Sequence, residues 1–162
     1  MKKKILYLSI NLAHYIADAH TPLHLTKNYD GQETNQVGIH SVWETQLPKM
    51  FIKTYNLAVG CVKYQKNLPK RIWEIIIESY EASKNILKIE KELNDQVVFG
   101  KFAYCKIGKS INRMNSKKYA TKFHDLLKGK KGEVEKQIQN AIKTIGIFIL
   151  TSYIDAGCPK LF

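Results

Sequence analysis

Apolar positions along this chain recur mainly at spacings of three and four, the period of a helix that buries one face. Ile5, Leu8, Leu12, Tyr15 and Ile16 mark a first helix, which Thr21-Pro22 stops. Thr26 to Gly38 is rich in Asn, Gly, Gln and Thr, carries no such period and reads as a loop. Ile39, Val42, Trp43 and Leu47 outline a short helix that ends or kinks near Pro48. Pro69 stands where a further helix begins, and Ile72, Trp73, Ile76, Tyr80, Ile86, Leu87 and Leu93 give it a long apolar stripe. Ser116 is a candidate cap for a helix whose Tyr119, Phe123, Leu126 and Leu127 face inward, and Gly129 to Gly132 breaks it. The last helix is expected from about Glu133 to Asp155, with Val134, Ile138, Ala141, Ile142, Ile145, Ile149 and Tyr153 on one side and Gly157 and Pro159 after it. Gln96 to Tyr104 is the only plausible strand, and there are no internal repeats or low-complexity tracts. The predicted class is all-α.

Composition adds a bound and a bias. The chain has 162 residues, 44% hydrophobic and 25% charged, which suits a globular chain with its own core rather than a disordered one. Lysine and arginine number 26 against 14 acidic residues, a formal charge of +12 that favours an anionic partner such as a phosphodiester, nucleic acid or an anionic lipid surface. Cys61, Cys105 and Cys158 are odd in number, far apart and without a CxxC pair, so they are expected to be free, mostly buried thiols. No apolar run approaches the ~20 residues a membrane span needs. Met1 to Lys4 followed by Ile5 to Ala13, with Ala17-Asp18-Ala19 beyond, has the outline of a secretory signal. Ser9 and Asn11 weaken that run, and cleavage there would remove His14 and Asp18. The expected localisation is therefore cytoplasmic if this chain is the whole product.

Four of the five histidines lie in the first 44 residues, and their spacing is the candidate chemistry. His14 and Asp18 are four apart on a predicted helix and project from one face. His40 and Glu44 repeat that arrangement on the next helix, and His24 follows Pro22 where the first helix stops. Two such pairs on neighbouring helices are an economical way to supply imidazole nitrogen and carboxylate oxygen to zinc. His24, His40 and Glu44 alone form a set of two imidazoles and one carboxylate that leaves a fourth position for water. A single His-x3-Asp is ordinarily an exposed helix pair; the weight rests on the whole pattern.

The same residues carry a resemblance. His14-Tyr15-Ile16-Ala17-Asp18-Ala19-His20-Thr21-Pro22-Leu23-His24, followed by Ile39-His40-Ser41-Val42-Trp43-Glu44, resembles the zinc-dependent phospholipase C and single-strand nuclease superfamily. Thr21 stands where Gln is usual, and Glu44 rather than Asp is the phospholipase-like choice. The loop Asn28 to Asn35 and the tail from Ala141 to Gly157 are similar to a bacterial phospholipase C-like subgroup. The resemblance implies a multi-helix fold with up to three zinc ions in a cleft. It implies His14 and Asp18 as ligands of one zinc, with Asp18 bridging toward another, and His24, His40 and Glu44 as the protein set of a second. It implies hydrolysis of a phosphodiester by metal-activated water, with no side-chain nucleophile. The family's remaining ligands lie upstream: a Trp, a His, and a later Asp and His. This chain is therefore expected to correspond to the C-terminal portion of such an enzyme, one partial domain over 1–162. Residues 1–44 form the zinc-ligand segment, residues 45–162 are the supporting helices, and hydrolysis by the chain alone is expected to be weak. Family members are commonly exported.

Other residues weigh less. His20 reads as a helix-end histidine or as a contact behind the ligands, and Asn35 as a residue that could orient a ligand or phosphate. His124 is expected to be structural or exposed, and Trp43 to pack in the core. Residues 1–44 are neutral overall, so the positive charge lies downstream, and 101–131 holds ten basic residues against Asp125 alone. With Phe102, Tyr104, Tyr119 and Phe123 interleaved, that stripe could bind nucleic acid. A solvated Lys-rich surface with its aromatics in the core is favoured, because Arg, the residue of specific recognition, occurs only at 71 and 113. The alternative function is thus a non-catalytic basic helical remnant that binds metal or nucleic acid. The substrate, phospholipid or nucleotide, is not legible in the sequence.

Overall fold

A computed structural model describes residues 2–96 and 113–160, except for the side chains of 113–116. Every regular element among the described residues is helical, so the chain is all-α. The continuation of the suggested strand beyond Gln96, together with Phe102, Tyr104 and Cys105, lies outside the described residues; Gln96 itself is helical.

Helix α1 spans Lys2–Ala19 and leads through Thr21 into a 3₁₀ turn over Pro22–Leu25. A continuous helical stretch follows the loop: α2 over Ile39–Ser41, a π-turn over Val42–Gln46, α3 over Leu47–Phe51 and a 3₁₀ turn over Ile52–Thr54. Helix α4 covers Leu68–Gln96, α5 Arg113–Leu127 and α6 Val134–Asp155. The proline signals hold at both ends of this middle region, and of the end or kink expected near Pro48 the structure shows an irregularity rather than an end. Pro48 lacks the N–H that would bond Glu44 C=O, and its ring crowds that carbonyl. The backbone widens instead, with the Leu47 N–H donating to Val42 O five residues back. Ser116 falls inside α5 rather than at its cap.

Helix α1 lies against α6 and α4, and α4 also packs on the Pro22–Leu25 turn and on α5. The core joins Leu23, Ile39, Val42, Trp43 and Leu47 to Ile86, Leu93, Phe123 and Leu127. Trp43 is buried as expected, and its Nε1–H donates to Gly132 O at 2.9 Å. The irregular stretch 55–67 runs along α6, tied by Gln65 N–H to Thr151 Oγ1 and by Tyr64 Oη–H to Asp155 Oδ1. Helix α6 ends in a left-handed turn: Gly157 has φ 79, its N–H bonds Ile154 O, and Cys158 N–H bonds Tyr153 O.

Several expected inward positions are exposed, among them Leu8, Tyr15, Trp73, Tyr80 and Leu126. The apolar stripes of α1 and α4 are wider than the faces their neighbours cover. Cys61 and Cys158 are free, as expected, but exposed rather than buried. One sits in the irregular stretch and the other beyond the end of α6, where no layer covers them. In the described part of the basic segment Lys117, Lys118, Lys122, Lys128, Lys130 and Lys131 are exposed, while Tyr119 and Phe123 are buried in the core.

Candidate metal centre

The five candidate ligands fall into one line of contacts. His14 Nε2 lies 3.3 Å from Asp18 Oδ2, and Asp18 Oδ1 lies 3.3 Å from His24 Nδ1. On the opposite edge of the same ring, His24 Nε2 is 3.4 Å from Glu44 Oε2, which is 2.5 Å from His40 Nε2. The His24 and His40 rings stack with centroids 5.0 Å apart, and Tyr29 meets His40 edge-on at 5.8 Å.

Three donors converge. One ligand atom each from His24, His40 and Glu44 lies within 4.8 Å of the others, so the group could hold a metal ion. Tetrahedral coordination at about 2.0–2.1 Å separates ligand atoms by about 3.3 Å. The His24–Glu44 separation of 3.4 Å already matches, and the His40–Glu44 contact needs to open by under an ångström. Two imidazoles and a carboxylate suit zinc among the common ions. The side chains are 27%, 23% and 43% exposed, so the group is supported from below and reachable from solvent. His40 Nδ1 is buried with no hydrogen-bond partner among the described residues. Such an orphaned polar atom is uncommon in a native structure and calls for an explanation, a functional role among them.

The loop before His40 explains how its ring is aimed. Asp30 Oδ1 accepts from Gly38 N–H at 3.1 Å and from His40 N–H at 3.4 Å, anchoring the start of α2. Gly31 adopts φ 76 so that its C=O can receive Gln36 N–H at 2.8 Å; a Cβ there would clash with Gln36 O. Gln36 is buried and donates through Nε2 to Leu87 O at 2.7 Å and to Glu90. Glu90, fully buried on α4, also accepts from Asn94 and from Tyr119 Oη–H at 2.6 Å. Asp30, Gln36 and Glu90 were not singled out by spacing. The one available signal was Glu90, a carboxylate standing on the apolar stripe between Ile86 and Leu93.

The two other candidates are not hydrogen-bonded to the donors among the described residues, although His20 lines the same groove as Trp43 and Glu44. His20 is buried, and its Nε2 is 2.9 Å from Thr144 Oγ1 on α6. Burial, with the Arg71 charge adding to it against an opposing Gln137 hydrogen bond, holds its pKa down at about 4. His20 is thus a neutral seam residue between α1 and α6. Asn35 is exposed at φ 60, and no hydrogen bond among the described residues ties it to the donors. Asn28, like Gln36, is a buried amide of that loop, donating through Nδ2 to Thr34 Oγ1 and accepting at Oδ1 from Glu33 N–H. His124 is buried and stacked on Phe51 at 3.8 Å, a structural position.

Two grooves flank the donors. One of about 580 Å³ starts at Asp18 and His24 and runs between α1 and α4 past Tyr15, Ile72 and Ile76. The other, of about 380 Å³, lies between Glu44 and α6 and takes in Trp43, Ile138 and Ile142. No helix among the described residues is long and apolar enough to cross a membrane. No protein-family profile, curated protein or solved structure matches this chain.

Proposed function

We propose that this chain is a zinc-dependent hydrolase of phosphoric esters of the phospholipase C type. The observation that carries the reading is the convergence of His24 Nε2, His40 Nε2 and Glu44 Oε2 from two separate elements on one part-exposed point. His24 comes from the turn after α1, and His40 and Glu44 from either side of the α2–π junction. Three protein donors leave a tetrahedral ion one position for water or a phosphoryl oxygen. When bound, zinc supplies Lewis-acid activation of water and of the phosphoryl group. His24 and His40 hold the nitrogen positions, their stacked rings fixing each other's tilt, and Glu44 supplies the anionic donor. His14 and Asp18 offer two further donors beside this set, short of a complete second site among the described residues. Hydrolysis by this chain alone is accordingly slow.

The test is zinc analysis of the purified chain together with hydrolysis of an activated phosphodiester. The expected result is one zinc per chain, lost in Glu44→Ala and in the double variant His24→Ala/His40→Ala, and slow turnover that a chelator abolishes. No zinc in the wild type, or unchanged zinc in the double variant, overturns the reading. The alternative of a non-catalytic nucleic-acid binder draws on the six exposed lysines between Lys117 and Lys131. Of its interleaved aromatics, Tyr119 and Phe123 are in the core and not open to stacking, and Phe102 and Tyr104 lie outside the described residues. Salt-dependent, chelator-insensitive binding of single-stranded DNA would favour it.

A further inference from the structure

Asp18 stands behind His24 rather than beside the converging donors. The metal-capable group takes in His24, His40 and Glu44, and the contact of Asp18 with it is at His24 Nδ1, the nitrogen turned away from Glu44. An imidazole carries its two nitrogens on opposite edges. A carboxylate at Nδ1 draws the proton there and leaves the Nε2 lone pair for the ion.

The local structure shows why His24 depends on this neighbour. It sits on a four-residue 3₁₀ turn, which fixes the backbone through the buried Pro22 and Leu23. The ring itself is part-exposed, with the stacked His40 ring on one face. Asp18 belongs to the last turn of α1, and the turn is tied to that helix at the same place. Thr21 N–H bonds Asp18 O at 2.9 Å, and Thr21 Oγ1–H bonds Ala17 O at 3.2 Å. The carboxylate and the imidazole are thus held in register by backbone bonds that involve neither side chain. His14 Nε2 lies 3.3 Å from the other Asp18 oxygen.

We propose that Asp18 is a positioning residue: it fixes the ring orientation and tautomer of His24 so that Nε2 faces the metal position, and it is not a ligand of that ion. This rests on the metal-site reading above. The sequence resemblance implies Asp18 as a ligand of a different zinc, so this role at His24 is a separate one.

The experiment uses the full chain and two readouts. Zinc affinity is measured by competition with a chromophoric chelator, and the metal-free His24 ring is followed by nitrogen NMR. Asp18→Asn and Asp18→Ala are expected to keep one zinc per chain and to bind it about 10- to 100-fold more weakly, the usual effect of losing such an outer partner. Asp18→Glu is expected to recover most of that loss. In metal-free Glu44→Ala, where Asp18 is the one carboxylate left at the ring, the His24 proton is expected on Nδ1, and adding Asp18→Ala moves it toward Nε2, a change that a merely structural role does not produce. Unchanged affinity and tautomer in Asp18→Ala overturn this proposal and leave the metal site standing. Loss of the zinc from Asp18→Ala with no recovery in Asp18→Glu also overturns it, by making Asp18 a ligand of this ion. No zinc uptake by the wild type overturns both readings together.

Discussion

The line from His14 to His40 and the group around Glu90 are built from similar parts, carboxylates facing nitrogen and hydroxyl donors, yet they are enclosed differently. Glu90 is fully buried and receives Gln36, Asn94 and Tyr119 from the loop, from α4 and from α5. Its oxygens are satisfied by donors from three elements, so it staples those elements together. The histidine line remains open to solvent along its length, and two imidazole nitrogens turn toward one carboxylate oxygen. A closed network stabilises; an open convergence of lone pairs is available to a ligand. The two are also connected. Gln36 joins Glu90 to the loop whose Gly38 and His40 are held by Asp30, so the buried group is the footing of the open one.

The strongest way to break this contrast is at Glu90. Glu90→Ala removes the carboxylate that receives Gln36, Asn94 and Tyr119, at about 1–3 kcal/mol for each buried bond lost. A loss of about 3–5 kcal/mol in urea unfolding is expected, with weakened zinc binding as the loop loosens. An unchanged unfolding midpoint would remove the staple from the picture. Next in size is the open group. Glu44→Ala is expected to change metal-free stability by under about 0.5 kcal/mol, as a part-exposed substitution does. The wild type should gain about 2.7 kcal/mol at zinc a hundredfold above Kd. Thermal unfolding with and without zinc, reversed by chelator, reads this gain, and its persistence in Glu44→Ala would place the ion elsewhere.

Pro48→Ala sharpens the comparison from the backbone side. It restores an N–H that can bond Glu44 C=O, relaxes the π-turn toward α-helix and re-aims the Glu44 carboxylate. Zinc affinity should fall by about tenfold with folding intact, as chelator competition would show. Equal affinity would make the π-turn incidental to the site. The smallest effect concerns His124, whose pKa burial lowers, with Asp125 opposing and the Lys128 charge adding to the shift. The unfolded chain then takes up a proton, near its ordinary value of about 6.5, that the native state refuses. Stability with respect to this group is complete above that pH and falls as the pH drops below it toward the native value. His124→Phe should flatten that slope in a pH series of urea midpoints, whereas an identical slope would assign the acid sensitivity to other groups.

Much of the fold was legible because helices advertise themselves locally. Pro69 falls at the second residue of α4, and the last helix was expected at about Glu133 against an observed start at Val134. The misplacements share a cause. Pro48 reads as a stop or a kink, and only the structure shows the chain widening into a π-turn there, while Trp73 or Tyr15 reads as core unless the extent of the neighbouring helices is known. Cys61 and Cys158 read as buried thiols by composition, while their exposure follows from which stretches are left uncovered.

The sequence by itself determined the helical class and the two i,i+4 pairs, His14 with Asp18 and His40 with Glu44. Both follow from a period that operates within one helix and needs no partner. Only the tertiary structure decided that His24 stands between the pairs, with Asp18 at one nitrogen and Glu44 at the other. It likewise turned His20, two residues from Asp18, away into the α1–α6 seam, and sank Glu90 in the core under the loop that carries His40. Distances between elements depend on how the Pro22–Leu25 turn docks on α4 and on the register that the π-turn gives Glu44. Long-range packing sets those quantities, and no local spacing encodes them.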